Sequence, residues 1–326
     1  MRILDYWPGK NKFLCKGRVI SGPDWYKGAA TGILIISLSC LIYSFPVRFY
    51  TNNSSYLSLI TYSILLPPVL YFLYSVSTHE PGYIPKQSSI FANKQNQSIN
   101  EYITSPKPLI IQHKGTIMKL KFCKTCLLFR PPRSSHCSVC DLCVEEFDHH
   151  CPWIGNCVGK RNYINFFKFL ISTNLLAFTG FSVSLAHAIN KDANRDDMII
   201  SIILVVLLFI ILFFISGLLA FHSYLMLNGM TTNEKIKETW PSPLFNPYSW
   251  NSFVFNCVGK YRSGLSKSQF DPAAIVDKSS MELNPNVVLR NVKVSKIFLA
   301  CEESTEQYGK QGTVFGPGKS DRDSIE

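Results

Sequence analysis

Four long apolar runs restrict the folds open to this chain. They lie at 28–47 (GAATGILIISLSCLIYSFPV), roughly 56–76, about 166–189 and about 198–225. A helix needs about 20 apolar residues to cross the hydrocarbon core of a bilayer, and buried helices of soluble proteins are seldom so uniformly apolar. The chain therefore reads as membrane α-helical, with four transmembrane helices. Pro67 and Pro68 are expected to kink the second helix, which a bundle tolerates where neighbours satisfy the freed carbonyls. Lys168 lies near a helix end, where its stem can snorkel. Asn174 is deeper, suited to an interhelical hydrogen bond or to contact with substrate.

The net charge of +11 fits nucleic acid, a membrane surface or the basic bias of cytoplasmic loops. Its distribution separates these. The short loop 48–55 holds only Arg48, and loop 190–197 offsets Lys191 and Arg195 with Asp192, Asp196 and Asp197. By contrast, the loop 77–165 carries eleven basic residues and the chain from Lys235 onward twelve. Both termini and the 77–165 loop are thus assigned to the cytoplasm, and nucleic acid is not an expected partner. Asn52 and Asn53 stand in N-x-S patterns on the far side, too close to the bilayer for glycosylation to be expected. The opening MRILDYWPGKNKFLCKGR lacks a long apolar core, so no cleavable signal is expected.

The resulting organisation is a cytoplasmic N-terminal segment 1–27, transmembrane helices within 28–76, and a cytoplasmic loop 77–165 with a dense core at 121–165. Two more helices follow within 166–225, then a segment 226–262 and a tail 263–326. The Ser, Lys, Asp and Gly content of the tail predicts disorder, with VVLRNVKVSKIFL (287–299) the part able to dock on protein or membrane. The approach at 77–120 reads as polar and weakly ordered.

Seven of the eleven cysteines fall within 123–157; Cys15, Cys40, Cys257 and Cys301 are scattered. Such clustering favours a reduced compartment and zinc over a secreted disulfide scaffold. Ten ligand-type groups stand close together: Cys123, Cys126, His136, Cys137, Cys140, Cys143, His149, His150, Cys151 and Cys157. Structural zinc takes four Cys or His ligands, commonly from Cys-x2-Cys pairs and later partners. Cys123/Cys126 and Cys137/Cys140 are two such pairs, which implies two zinc sites and eight ligands. Two groups are left over, and spacing puts the surplus in DHHC (148–151), since four successive residues cannot all face one ion. A spare Cys and His beside an Asp are the parts of an activated nucleophile: thiol, base and orienting carboxylate. The alternative is a third metal that uses every group.

The string Cys123-x2-Cys126-x9-His136-Cys137-x2-Cys140-x2-Cys143-x4-Asp148-His149-His150-Cys151-x5-Cys157-x4-Asn162-x3-Phe166 resembles the signature of the DHHC protein S-acyltransferases (palmitoyltransferases). TTNE (231–234) resembles their TTxE motif, and NPYSWNSFVFNCVG (246–259) their C-terminal amphipathic motif, with Asn256 as its buried asparagine. GKNKFLCKGRVISGPD and TTNEKIKETW are similar to the subgroup that modifies Ras-like proteins with a small accessory subunit. The resemblance covers roughly 1–262. Two departures stand out: Glu80-Pro81-Gly82 replaces the family's Asp-Pro-Gly, and Asn251 replaces a frequent glycine.

The resemblance implies one zinc on Cys123, Cys126, His136 and Cys143, and a second on Cys137, Cys140, His150 and Cys157; spacing alone permits other pairings. Catalysis would then fall to Asp148, His149 and Cys151. Thr232 would hydrogen-bond Asp148, while Arg130 and Arg133 would face CoA phosphates, unless they are ordinary solvated cations. The implied co-substrate is palmitoyl-CoA, the acceptors are cysteines of cytoplasmic or membrane-associated proteins, and the location is an endomembrane (Golgi, endoplasmic reticulum) or the plasma membrane. Trp153 and Pro152 would shape the active-site floor or pack the domain. Cys257 is a candidate for secondary acylation or an idle thiol, and Cys40 a packing residue. The rivals are a non-enzymatic membrane-anchored zinc scaffold and a RING-type ubiquitin ligase. Neither needs a spare Asp-His-Cys, and a RING would separate its Cys pairs further.

Overall fold

The computed structural model describes residues 7–14, 19–84, 86, 109–113, 116–240, 246–250 and 252–265. Four helical spans, Trp25–Asn52, Leu57–Thr78, Tyr163–Ala188 and Arg195–Leu227, are long and apolar enough to cross a membrane. This is a multi-pass membrane protein.

The first span is not uniform. Helix α1 (Trp25–Ile42) passes through a π-turn, Tyr43–Val47, into α2 (Arg48–Asn52). Pro46 lies in that turn; a residue without an N–H changes the local winding, and the helix then continues. The expected loop at 48–55 shrinks accordingly to 53–56. Helix α3 (Leu57–Thr78) runs as one element through Pro67 and Pro68. Helices α4 (Tyr163–Ala188) and α5 (Arg195–Leu227) begin earlier than their apolar runs. In α5 the reason is visible: Asn194 caps the helix by accepting from the Asp196 amide, so polar residues form its first turn.

Helix α4 packs against both α3 and α5. Close approach depends on Gly180, where a Cβ would stand 2.9 Å from Ile42 Cδ1 and 3.3 Å from Tyr62 Cε2. Asn174 takes the interhelical role, accepting from Ser216 Oγ at 3.2 Å. Lys168 is exposed, its ammonium 5.7 Å from the Phe72 ring and 5.8 Å from the Tyr261 ring.

Between α3 and α4 the described residues form short strands and one 3-10 turn, Pro152–Ile154. The strands are β3 (Tyr83–Ile84), β4 (Leu109–His113), β5 (Thr116–Leu120), β6 (Phe122–Cys123), β7 (Leu128–Phe129), β8 (Ser135–Cys137), β9 (Leu142–Val144), β10 (His149–Cys151) and β11 (Asn156–Val158); numbering starts after β1 (Lys12–Leu14) and β2 (Val19–Ser21). Strand β3 joins β9 and β8 in one sheet, and β4 pairs with β5. The approach expected to be weakly ordered is therefore structured at both places, because its backbone finds strand partners. Two short helices follow α5: α6 (Thr232–Ile236) and α7 (Phe253–Gly264). Cys15, Cys301, Asn251 and 287–299 lie outside the described residues.

Asparagine amides fasten the strands to the helices. Asn156 Nδ2 donates to the Ser77 and His79 carbonyls, each at 3.2 Å. Asn162 Nδ2 donates to Val76 O at 3.3 Å and Cys157 O at 2.8 Å. The Val76 and Ser77 carbonyls are among those that the end of α3 leaves free. The segment entering α1 lies backbone-to-backbone on the Ile154–Asn156 turn: a Cβ on Gly22 would run into Gly155 O, and one on Gly28 would meet Ile154 O at 2.7 Å. Since backbone cannot step aside, Gly22→Ala is expected to cost about 1–3 kcal/mol, read as a thermal midpoint several degrees lower in the purified protein.

Candidate active site and metal centres

The site is organised by two strand pairs whose side chains alternate in direction. In β8 and β9, His136 stands opposite Cys143 and Cys137 opposite Leu142. In β10 and β11, His149 stands opposite Val158, His150 opposite Cys157 and Cys151 opposite Asn156. Neighbouring residues in each strand therefore go to different places. His136 and Cys143 join Cys123 and Cys126, while Cys137 joins Cys140, His150 and Cys157. His149 and Cys151 share the other face of β10.

Within each group of four the ligand-type atoms all lie within 4.8 Å of one another. His136 Nδ1 is 3.4 Å from Cys126 Sγ and 3.9 Å from Cys143 Sγ. His150 Nδ1 is 3.7, 3.5 and 3.4 Å from the sulfurs of Cys137, Cys140 and Cys157. A tetrahedral ion with bonds of about 2.0–2.3 Å sets its ligands roughly 3.5–3.8 Å apart. Both groups fit, and both can hold a metal ion.

The third constellation is different in kind. Asp148 is 1% exposed and accepts from Thr232 N at 2.8 Å, Thr232 Oγ1 at 2.7 Å and His149 Nδ1 at 2.8 Å. Burial is the largest single influence and opposes its charge, but the hydrogen bond and charge of His149, with His222 and the Thr232 hydrogen bond, together outweigh it and lower its pKa to about 2. Burial likewise opposes a charged His149, yet its hydrogen bonds with Asp148 and Cys151 raise it to about 10. Cys151 belongs to the apolar cluster of the membrane helices, with Ile154, Tyr163 and Phe166, and not to the small clusters of the strands. A buried carboxylate, a basic imidazole and a thiol thus lie in line at the mouth of the helix bundle.

Residues 116–239 match the profile of the DHHC palmitoyltransferase family. Palmitoyltransferase ZDHHC18 of Mus musculus is 35% identical over 300 residues, covering 87% of this chain and 79% of that protein. Palmitoyltransferase ZDHHC9 of Danio rerio is 33% identical over 315 residues, 92% of this chain and 82% of that one. For palmitoyltransferase ZDHHC14 of Mus musculus the identity is 35% over 83% of this chain and 59% of that longer protein. The chain belongs to the DHHC palmitoyltransferase family. Acyl transfer to protein cysteines is the activity that membership gives it.

The TTxE segment of this DHHC protein is a helix cap with two further duties. Thr231 caps α6 in a capping box with Glu234. Thr232, next in line, donates to Asp148 as the resemblance implied. Glu234 also binds Arg133, with Nε to Oε1 at 2.8 Å and Nη2 to Oε2 at 2.7 Å. Arg133 therefore departs from its expected place facing CoA. Its side chain is 6% exposed, paired with Glu234 and Glu146 and stacked 4.5 Å over Tyr248. Arg130 behaves differently: its Nε has no hydrogen-bond partner among the described residues. Burial, then Arg130 and Lys121, lower the pKa of Lys237, which places three cations in one field.

His222 of α5 was not anticipated. It lies 5.9 Å, ring to ring, from His149, and its Nδ1 is 3.1 Å from the Tyr163 hydroxyl. One histidine in a long apolar helix was the available signal. Asp148, His149 and His222 also bring ligand-type atoms within 4.8 Å, but Thr232 and His149 already occupy both Asp148 oxygens. Asn256 is buried as the resemblance implied, donating to Leu227 O at 2.9 Å and accepting from Trp250 N at 2.9 Å. Trp153 is exposed, and Cys257 is half-buried with its thiol pushed up by burial.

Glu234→Ala strands a buried guanidinium, so it is expected to cost about 3–5 kcal/mol in denaturant unfolding. The double change Arg133→Leu with Glu234→Leu is expected to lose less.

Proposed function

We propose that this chain transfers a long-chain acyl group, palmitoyl in the first instance, from acyl-CoA to protein cysteines through a covalent S-acyl intermediate on Cys151. The observation that carries the proposal is the alternation in β10. It sends His150 to the metal side and leaves His149 and Cys151 together beside the membrane helices.

Asp148, fixed by two bonds from Thr232, holds His149 by Nδ1 and leaves the other ring nitrogen for Cys151. His149 takes the thiol proton as general base. The sulfur then attacks the thioester carbonyl, the carbon–sulfur bond to CoA breaks, and the departing CoA thiolate takes the proton back from His149. In the second half His149 deprotonates the acceptor cysteine, whose sulfur takes the acyl group and releases Cys151. One thioester is exchanged for another, so no external energy source is required. The apolar surroundings of Cys151 suit the chain, and the cationic field of Lys121, Arg130 and Lys237 suits CoA phosphates. Arg133, spent on Glu234, acts as a structural residue.

Two zinc ions would be held by Cys123, Cys126, His136 and Cys143, and by Cys137, Cys140, His150 and Cys157. With four protein ligands each, they would supply rigidity, with no open position for substrate. The lysine and arginine bias supports a cytoplasmic placement of both termini and the strand domain. Acceptors would then be cytoplasmic cysteines near a membrane, including those of Ras-like proteins, with a small accessory subunit as the partner its subgroup features imply. An endomembrane location rests on the same resemblance.

Incubation with an alkyne-bearing palmitoyl-CoA analogue is expected to give a hydroxylamine-labile label on the wild type and none on Cys151→Ser. A label surviving that change would overturn the proposal in favour of a non-enzymatic scaffold. His149→Ala should lose at least about 100-fold in turnover with metal content unchanged. His150→Ala should lose one of two bound zincs, and intact zinc would refute the ligand partition. Arg130→Ala is expected to raise the KM for acyl-CoA by about tenfold, with little effect on kcat.

A further inference from the structure

The two ligand-type histidines are built alike, and the likeness extends past the metal. Both turn Nδ1 to the sulfurs, so ligation there leaves the proton on Nε2, pointing away. Behind each ring stands an aspartate. Asp141 Oδ1 is 3.7 Å from His136 Nε2, and Asp24 Oδ2 is 3.8 Å from His150 Nε2. A lysine holds each carboxylate in turn: Lys86 to Asp141 at 2.7 Å, and Lys27 to Asp24 at 2.6 Å.

The rings differ in one respect. His136 is 20% exposed, so water can serve its N–H. His150 Nε2 is buried and has no hydrogen-bond partner among the described residues. Asp24 is also peculiar by itself. It occupies the N-cap of α1, a position where aspartate ordinarily accepts from the helix amides, yet its side chain makes no capping bond. A carboxylate turned from its own helix and a buried N–H without an acceptor face each other.

We propose that Asp24 is the outer-shell anchor of the second metal centre, accepting the Nε2 proton of His150 after a small closure or through one water. It would thereby fix the ligand ring and raise its basicity. This rests on the reading that the two groups hold zinc. Other described residues of the N-terminal segment reach the same centre. Lys10 N donates to Cys140 O at 3.0 Å; Asn11 Nδ2 donates to the Tyr83 hydroxyl at 2.7 Å, which lies 3.4 Å from Cys140 Sγ. The GKN and SGPD ends of this segment thus acquire a role: they couple retention of the second metal to the seating of α1.

The test is metal release from full-length protein in detergent, loaded with two zincs per chain and challenged with a chromophoric chelator. Asp24→Ala is expected to speed loss of one of the two zincs by about tenfold or more while the other leaves at its wild-type rate. Asp24→Asn, whose amide oxygen still accepts an N–H, should fall between, and it serves if the alanine variant does not fold. Lys27→Ala should stay within about twofold of wild type. An Asp24→Ala rate equal to wild type overturns the proposal. So does a Lys27→Ala rate matching Asp24→Ala, since the ion pair would then explain the effect. A wild type binding fewer than two zincs would overturn the metal reading itself, and the proposal with it.

Discussion

Strand β10 has three residues, and the direction in which each points is fixed by register, because a one-residue slip exchanges the two faces of a strand. Slipped, the ribbon would turn both His149 and Cys151 to the sulfurs and His150 to the opposite face, which would take the imidazole away from Asp148 and the thiol away from the membrane helices. A two-stranded ribbon this short has little stability of its own, so the register must be held from outside. His150 and Cys157, opposed in register, are two of the four ligand-type residues of one centre. Beyond Cys151 the turn is pinned by Gly155, at φ +66° and in backbone contact with Asp24 and Trp25. The Cys/His group and the first membrane helix therefore set the direction of Cys151 together.

On the other side, register is communicated to α6 through Asp148. That carboxylate is almost fully buried and would be costly to hold without hydrogen-bond donors. Thr232 supplies two of them, and Thr232 can do so only because Thr231 and Glu234 close the turn that precedes it. Glu234 then carries the link back into the strands through Arg133. One short helix thus joins the histidine–aspartate pair, the strand domain and the end of α5.

The four apolar runs and the arithmetic of ten ligand-type residues were legible in the sequence, since hydrophobic length and Cys-x2-Cys spacing are local signals. The division of His136 from Cys137, and of His149 from His150, was not legible from spacing. It follows from strand alternation, yet strands of three residues give no pattern long enough to read. The resemblance implies the same grouping of side chains that the structure displays, but it placed Arg133 on CoA; burial against Glu234, 101 residues away in sequence, is a tertiary fact. His222 was missed for the same reason, since its significance depends on which face of α5 meets α4. The π-turn at Tyr43–Val47 had a visible cause in Pro46, overlooked because an apolar run hides a change of winding.

The strand domain has small apolar clusters, one gathered around Ile20, Tyr83, Leu142 and Val144, another around Ile84 and Leu128. Neither is large enough to organise so many short strands, and small folds of this kind rely on metal ions in place of a core. Function supplies a second reason for the choice. A conventional core inside the strand domain would compete for the face carrying His149 and Cys151, which instead packs against the membrane helices beside Tyr163 and Phe166, where we propose that the acyl group is transferred. Buried ion pairs complete the design: Arg133 with Glu234, and Glu146 with Lys260 at 2.7 Å. Such pairs add little net stability, but they are directional. They specify how α6 and α7 meet the strands, where apolar packing alone would permit sliding, and so hold Asp148 in place.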